Sequence, residues 1–229
     1  MDKAGRDSEY SYQAAKRMAE LKRDMEYIIT RNQASSAGSS AVPRTLGSLE
    51  AWYTTNTSRG GSVGGSAGGA NGGFSGGDVA AATDATAGAL RTFTEALLKT
   101  AMQQAWTQGG QPDYVMVGPV NKQKASAFAG IATLYRDTAG KKTGVSILGA
   151  ADIYVSDFGE VKIIANRFSR EQTAHVIDSN YWSVGYLRPF KEEKLAKTGD
   201  GMKGQVLVEY TLVSKNQAAS AVIADLLTT

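Results

Sequence analysis

Helical patterning early in the chain and strand patterning late, with no regular alternation of the two, predict an α+β fold. Two observations carry the prediction. Apolar residues at Ala14, Met18, Leu21, Met25 and Ile28 step by four and three along one helix face, and neither proline nor glycine interrupts Ser8 to Asn32. From residue 153 onward, short β-branched and aromatic runs follow one another with turn residues between them.

The first helix is expected over about residues 8–32, with Lys16, Glu20 and Arg23 at ion-pair spacing. Ser35 to Ser40 leads out of it, and Trp52 and Tyr53 are expected to anchor a partly buried loop. Residues 60–77 then read GGSVGGSAGGANGGFSGG, a Gly-Gly pair every four residues, and hold 10 of the 26 glycines. That spacing never separates two glycines by one residue, so the dinucleotide pattern G-x-G-x-x-G cannot occur within it, and no Lys completes a phosphate loop. So little apolar surface cannot offset the entropy of ordering, which predicts a mobile surface loop.

Thr92-Phe93-Thr94-Glu95 matches a capping box with Thr92 at the N-cap. Phe93, Leu97, Leu98, Ala101, Met102 and Ala105 supply the apolar stripe of the second helix, which Gly109-Gly110 and Pro112 stop. Tyr114 to Val117 is expected to be a buried strand, and Asn121 to Phe128 a short helix ending near Gly130. Residues 133–149 are polar and weakly patterned. Ile153 to Val155 and Val161 to Ile164 flank a turn at Asp157 to Glu160, a hairpin with Gly159 at its positive-φ position. His175 to Ile177 and Trp182 to Leu187 are further strand candidates. Gln205 to Val213 alternates Val206, Val208, Tyr210 and Leu212 on one face with Leu207, Glu209, Thr211 and Val213 on the other. Ala221 to Leu227 reads equally as strand or short helix.

The 229 residues can bury a sizeable core, as one large domain or two small ones. Cysteine is absent and His175 is the single histidine. This excludes disulfides, zinc fingers, iron–sulfur clusters, thiol nucleophiles and any two-histidine metal site within one chain. The net charge of +3 comes from 25 basic and 22 acidic residues without a polybasic run, so no nucleic-acid footprint is visible. No stretch is long and apolar enough to cross a bilayer as a helix, and the charged N-terminus lacks an apolar signal core. These features fit the cytosol, or assembly inside a cell. His175 reads as a surface or hydrogen-bonded strand histidine, and the pairs Asp152/Asp157 and Glu192-Glu193 have no spacing of paired catalytic carboxylates. Neither a calcium loop nor a G-x-S-x-G elbow occurs. A chain with strands, helices and no chemical site reads as a structural or assembly protein.

Several segments carry a resemblance. Asp2 to Arg6, Glu20 to Glu26, Leu49 to Trp52, Phe93 to Ala96, Val115 to Pro119 with Asn121 to Gln123, Ile153 to Gly159, Asn166 to Phe168, Leu187 to Phe190, Leu195 to Asp200, Val206 to Tyr210 and Ala224 to Leu226 resemble the major capsid proteins of SU-ten-like tailed bacteriophages. The resemblance covers nearly the whole chain except residues 55–85 and about 133–149. It implies a Hong Kong 97-type capsid fold. Residues 1–54 would then be a peripheral domain with the spine helix, 55–85 the glycine-rich mobile loop, 86–165 mostly an axial domain, and 166–229 strands returning to the peripheral domain. The family pattern also includes an N-terminal arm and an extended loop ahead of the spine helix, which the chain is expected to lack.

The implied function is a non-enzymatic shell subunit, self-assembling as pentamers and hexamers into an icosahedral capsid around phage double-stranded DNA. Implied partners are other copies, portal and decoration proteins, and DNA touched non-specifically, with no cofactor, metal or membrane. The implied place is the virion capsid, assembled in the bacterial cytoplasm. A shell protein of an enzyme-packaging nanocompartment with the same fold is the second reading, and a small enzyme built on His175 the third. Arg23, Arg167, Trp182 and Arg188 are candidate subunit-interface residues because large side chains dominate interface energetics.

Overall fold

A computed structural model describes residues 8–128, 153–197 and 199–228. In chain order the elements are α1 (Glu9–Ile29), α2 (Leu49–Trp52), β1 (Thr57–Ser58), β2 (Gly73–Ser75), β3 (Asp78–Ala80), α3 (Glu95–Thr107), β4 (Tyr114–Val117) and α4 (Pro119–Ser126). They continue with β5 (Ile153–Ser156), β6 (Gly159–Ala165), β7 (Ala174–Ile177), β8 (Trp182–Lys194), β9 (Gly204–Ser214) and β10 (Ala221–Ile223). The mixed composition is the α+β class expected. The stretch 133–149 and the expected helix end at Gly130 lie outside the described residues.

α1 starts where Ser8 caps it, the hydroxyl accepting from Ser11 N–H. It stops short of the expected Asn32 because the Thr30 hydroxyl donates back to Glu26 O (2.9 Å) and out to Phe168 O (3.0 Å). Asn32 then leaves the helix to bond both polar backbone groups of Ala82.

A six-stranded sheet in the order β1-β10-β7-β4-β6-β5 forms the body. Two of its pairings, β1 with β10 and β4 with β6, are parallel. Both α4 and β5 lie between β4 and β6 in the chain, a single parallel pair that leaves the expected lack of regular alternation standing, and Pro119 supplies the preset φ at the first turn of α4. β7 and β10, expected to return to a peripheral domain, pair with each other inside this sheet, and β7 also pairs with β4. Ala221 to Ile223 is therefore a strand, which its sequence left open.

α3 covers one sheet face. Leu98, Ala101, Met102 and Ala105 pack on Val115, Val117, Val161, Ile163, Val176 and Ile223, all essentially inaccessible to water. The capping box is not formed: α3 begins at Glu95, and neither Thr92 nor Thr94 caps it through its side chain. Phe93 is instead buried against Phe128, with ring centroids 5.3 Å apart. Glu95 accepts from the Tyr154 hydroxyl (3.0 Å) and pairs with Lys99. On the opposite face Leu49, Tyr53, Leu212 and Val222 make a smaller cluster, with Trp52 and Trp182 against it. Tyr53 is fully buried and Trp52 half-buried, stacked on Phe74.

His175 lies in β7 at the centre of the sheet, fully buried and stacked on Tyr53. This corrects the surface reading. Neither ring nitrogen has a hydrogen-bond partner among the described residues, which also corrects the hydrogen-bonded alternative. Burial, with the Arg170 and Arg59 charges nearby, lowers its pKa to about 3.

The glycine-rich tract expected to be a mobile loop has fixed partners. Gly60 N–H donates to the Asp225 carboxylate (2.9 Å), Gly69 N–H to Gly60 O (2.9 Å), and Ala70 exchanges backbone bonds with Thr83. Beyond them β2 and β3 form a hairpin. Composition misled because the entropy cost is offset by backbone bonds and close packing instead of side-chain burial. At Gly69 a Cβ would collide with the Asp225 carboxylate, and at Gly72 it would sit 2.5 Å from Ala51 O.

Two buried carboxylates hold this segment. Glu50 in α2, fully buried, accepts from Arg59 Nη2 (3.0 Å) and Arg170 Nη1 (2.7 Å). Arg170 also pairs with Asp84. Burial pushes the Glu50 carboxyl up in pKa and the two guanidiniums oppose that shift. Asp225, buried at φ +58°, accepts from Gly60 N–H and from Ala85 N–H (2.8 Å).

Two predictions come from this packing. Gly69→Ala is expected to destabilise by ~1–3 kcal/mol, as overpacking does. Gly61→Ala, which meets nothing within 4 Å, is expected to be neutral or slightly stabilising. Urea unfolding of the two variants checks this, and equal neutrality would restore the free-loop reading. For His175, the unfolded chain takes up a proton near pH 6.5 while the folded chain resists until about pH 3. Stability is therefore full above pH 6.5 and falls by up to ~1.4 kcal/mol per unit below it. His175→Phe is expected to flatten that slope in a pH series of unfolding midpoints.

Candidate functional site

The surface offers more than the interior. β8 and β9 form a separate two-stranded ribbon, and α1 lies along one of its faces. Val206, Tyr210 and Leu212 turn toward α1 or the body, while Leu207, Glu209, Thr211 and Val213 turn away, as the alternation in sequence requires. The helix is poorly buried for its length. Of its 21 residues only Met25 is fully covered, and Tyr10, Ala14, Met18 and Leu21 remain half-exposed.

Two openings account for that exposure. A groove of about 890 Å³ runs between the first part of α1 and the ribbon tip, with Leu21, Leu195, Met202 and Val206 among its walls. A smaller one, about 280 Å³, lies where Met25 and Ile29 face Tyr186 and Phe190. A third depression of about 420 Å³ opens on the six-stranded sheet at Tyr114, Met116, Ile164 and Phe168. Each wall is apolar with a charged rim: Glu9, Arg17, Glu20, Asp24 and Lys203 at the first, Lys22 and Glu26 at the second.

The four interface candidates are not gathered at one place. Arg23 is exposed on α1. Arg188 is exposed on β8 and forms a two-pronged pair with Glu209 directly across the ribbon, holding the Glu209 carboxyl below its usual range. An exposed pair of this kind adds little stability. Arg167 is exposed beside the third depression. Trp182 is half-buried at the root of the ribbon: its indole N–H donates to Ser220 Oγ (2.9 Å) and its ring lies 5.6 Å from Tyr53.

The sequence reading missed Leu187, 80% exposed on β8, and Tyr12, Tyr27 and Tyr186. A signal existed. Tyr186 and Leu187 are adjacent apolar residues in an alternating strand, so both cannot face the core, and the irregularity between Tyr186 and Arg188 leaves both exposed. Among the described residues no three His, Asp or Glu side chains cluster in a way that holds a metal ion, and no described helix is long and apolar enough to cross a membrane.

Comparison with known proteins gives the chain a family. The family model described as SU10 major capsid protein matches residues 1–227. A major capsid protein of Escherichia phage Phieco32 is 28% identical over an alignment of 246 positions, spanning 96% of this chain and 68% of that protein. Among solved structures, the holo-SrpI encapsulin complex of Synechococcus elongatus PCC 7942 aligns at 16% identity and a TM-score of 0.39, over 60% of this chain and about half (51%) of that one. With the match running across virtually its whole length, the chain belongs to the SU10 major capsid protein family, a family of structural bacteriophage proteins.

Proposed function

We propose that the chain is a shell subunit whose copies assemble as pentamers and hexamers into an icosahedral capsid around phage double-stranded DNA. The observation that carries this reading is the family match over residues 1–227. The half-covered α1 and its apolar grooves support it, because a subunit that finishes burying its surface in an assembly leaves such surface open when alone. In this reading the fold is of the Hong Kong 97 type and α1 is the spine helix. α1 and the β8–β9 ribbon belong to a peripheral domain, and the six-stranded sheet with α3 and α4 to an axial one. Arg23, Arg167 and Arg188 offer charged contacts between copies, and Trp182 sets the angle of the ribbon from its root. Portal and decoration proteins would meet the same shell in a virion formed in the bacterial cytoplasm.

The mechanism is valency. Each contact between copies is modest, and closed symmetry multiplies it. Sedimentation and electron microscopy test the reading: shells are expected, and a stable monomer under every assembly condition overturns it. Leu187→Ser tests the ribbon. It is expected to leave subunit unfolding within ~0.5 kcal/mol of the parent, since the side chain is exposed. The fraction of protein sedimenting as shells is expected to fall.

A further inference from the structure

Asparagine followed by glycine occurs once in the chain, at Asn71-Gly72, and aspartate followed by glycine once, at Asp200-Gly201. Such pairs carry a chemistry of their own. Glycine has no Cβ to keep its backbone nitrogen away from the preceding side-chain carbonyl, so a five-membered ring closes there more readily than before any other residue. The two pairs sit in opposite surroundings.

Asp200 is exposed at the tip of the ribbon, its carboxylate without a partner among the described residues, and a Cβ at Gly201 would meet nothing within 4 Å. Asn71 is exposed too, yet both ends of its amide are held. Its Oδ1 accepts from Arg59 Nε (3.2 Å) and its Nδ2 donates to Thr54 O (3.3 Å). The main chain is pinned on either side: Ala70 exchanges two bonds with Thr83, and Gly73 pairs with Ala80 across β2 and β3. The Arg59 that holds the amide is the same Arg59 that pairs with buried Glu50.

We infer that Asn71-Gly72 is a latent self-modification site, which closes to a succinimide and loses its amide only when the Glu50–Arg59 pair lets the segment open. In the reaction the Gly72 nitrogen gives its proton to solvent base and attacks Asn71 Cγ. The new C–N bond forms, the Cγ–Nδ2 bond breaks, and Nδ2 leaves as ammonia. Water then opens the ring at either carbonyl, giving aspartate or, with one more carbon in the main chain, isoaspartate. While two bonds hold its amide, Cγ cannot swing onto the Gly72 nitrogen. The isoaspartate product cannot reseat, because the main chain there has no slack: a Cβ on Gly72 would lie 2.5 Å from Ala51 O and 2.7 Å from Ala80 O. The reaction therefore records openings of the segment that the two buried acids clamp. It does not depend on the shell reading.

Incubation of the purified chain at mildly alkaline pH, native and in urea, tests this. Peptide mass spectrometry follows asparagine, aspartate and isoaspartate at both pairs. Amide loss at Asn71 is expected to be ~10-fold or more slower in the folded chain than in urea, because only opened molecules react. Isomerisation at Asp200 is expected to run at nearly one rate in both. Arg59→Lys keeps a cation for Glu50 but has no second nitrogen for Asn71. It is expected to raise the folded-state rate at Asn71 and to leave Asp200 unchanged; an unchanged rate at Asn71 overturns the gate. Should that variant fail to fold, urea below the parent's unfolding transition supplies the opening and is expected to speed Asn71 alone. Equal folded and unfolded rates at Asn71 overturn the inference. So does a faster folded rate, which would make the Arg59 bond to Oδ1 a promoter of ring closure, and so does an Asn71 that stays intact in urea.

Discussion

The fold turns on the pairing of two buried carboxylates, Glu50 and Asp225. Glu50 takes Arg59 and, through Arg170, reaches Asp84. Asp225 takes the very next residues in each segment, Gly60 and Ala85. The two acids therefore clamp both ends of residues 59–85 at neighbouring points. Closing a flexible loop costs an entropy that grows only slowly with its length, so one firm closure can carry a long insertion. Burying charge is expensive unless it is fully paired. Here both Glu50 oxygens have a guanidinium partner and both Asp225 oxygens have a backbone N–H.

That closure shows which parts of the structure were legible in sequence. Periodicity found α1, α3, β4 to β7 and β9 to within a few residues, because burial of a repeating face decides those elements, whereas β8 runs on past the expected Leu187 to Lys194, β1 had no signal and β10 was left open. Gly159 was legible at the turn between β5 and β6, where φ is +127°. The clamp was not. Its members are spread from residue 50 to residue 225, and an isolated Glu or Asp in sequence looks solvated. Without the clamp, glycine-rich composition reads as disorder. With it, Gly69 and Gly72 are places where another segment passes too close for a side chain. The capping box failed similarly, because Phe93 found a better partner in Phe128 than a helix turn would offer.

Resemblance implied an assembling surface without placing it. Arg23, Arg167, Trp182 and Arg188 were chosen for size, and the fold scatters them over α1, the sheet rim and the ribbon. What distinguishes the surface physically is the mismatch between pattern and burial. α1 has an apolar stripe fit for a core and only Met25 receives full cover. The sheet body shows no such mismatch beneath α3, where Leu98, Ala101 and Ala105 are wholly enclosed.

Body and ribbon therefore solve different problems with one chain. The body closes on itself, and burial holds His175 neutral at its centre. The ribbon stays open, and an open edge invites indiscriminate pairing. Charge, Pro189 and two inserted residues on β8 remove that hazard on one side, so the sequence of the ribbon answers a problem that the enclosed body never meets.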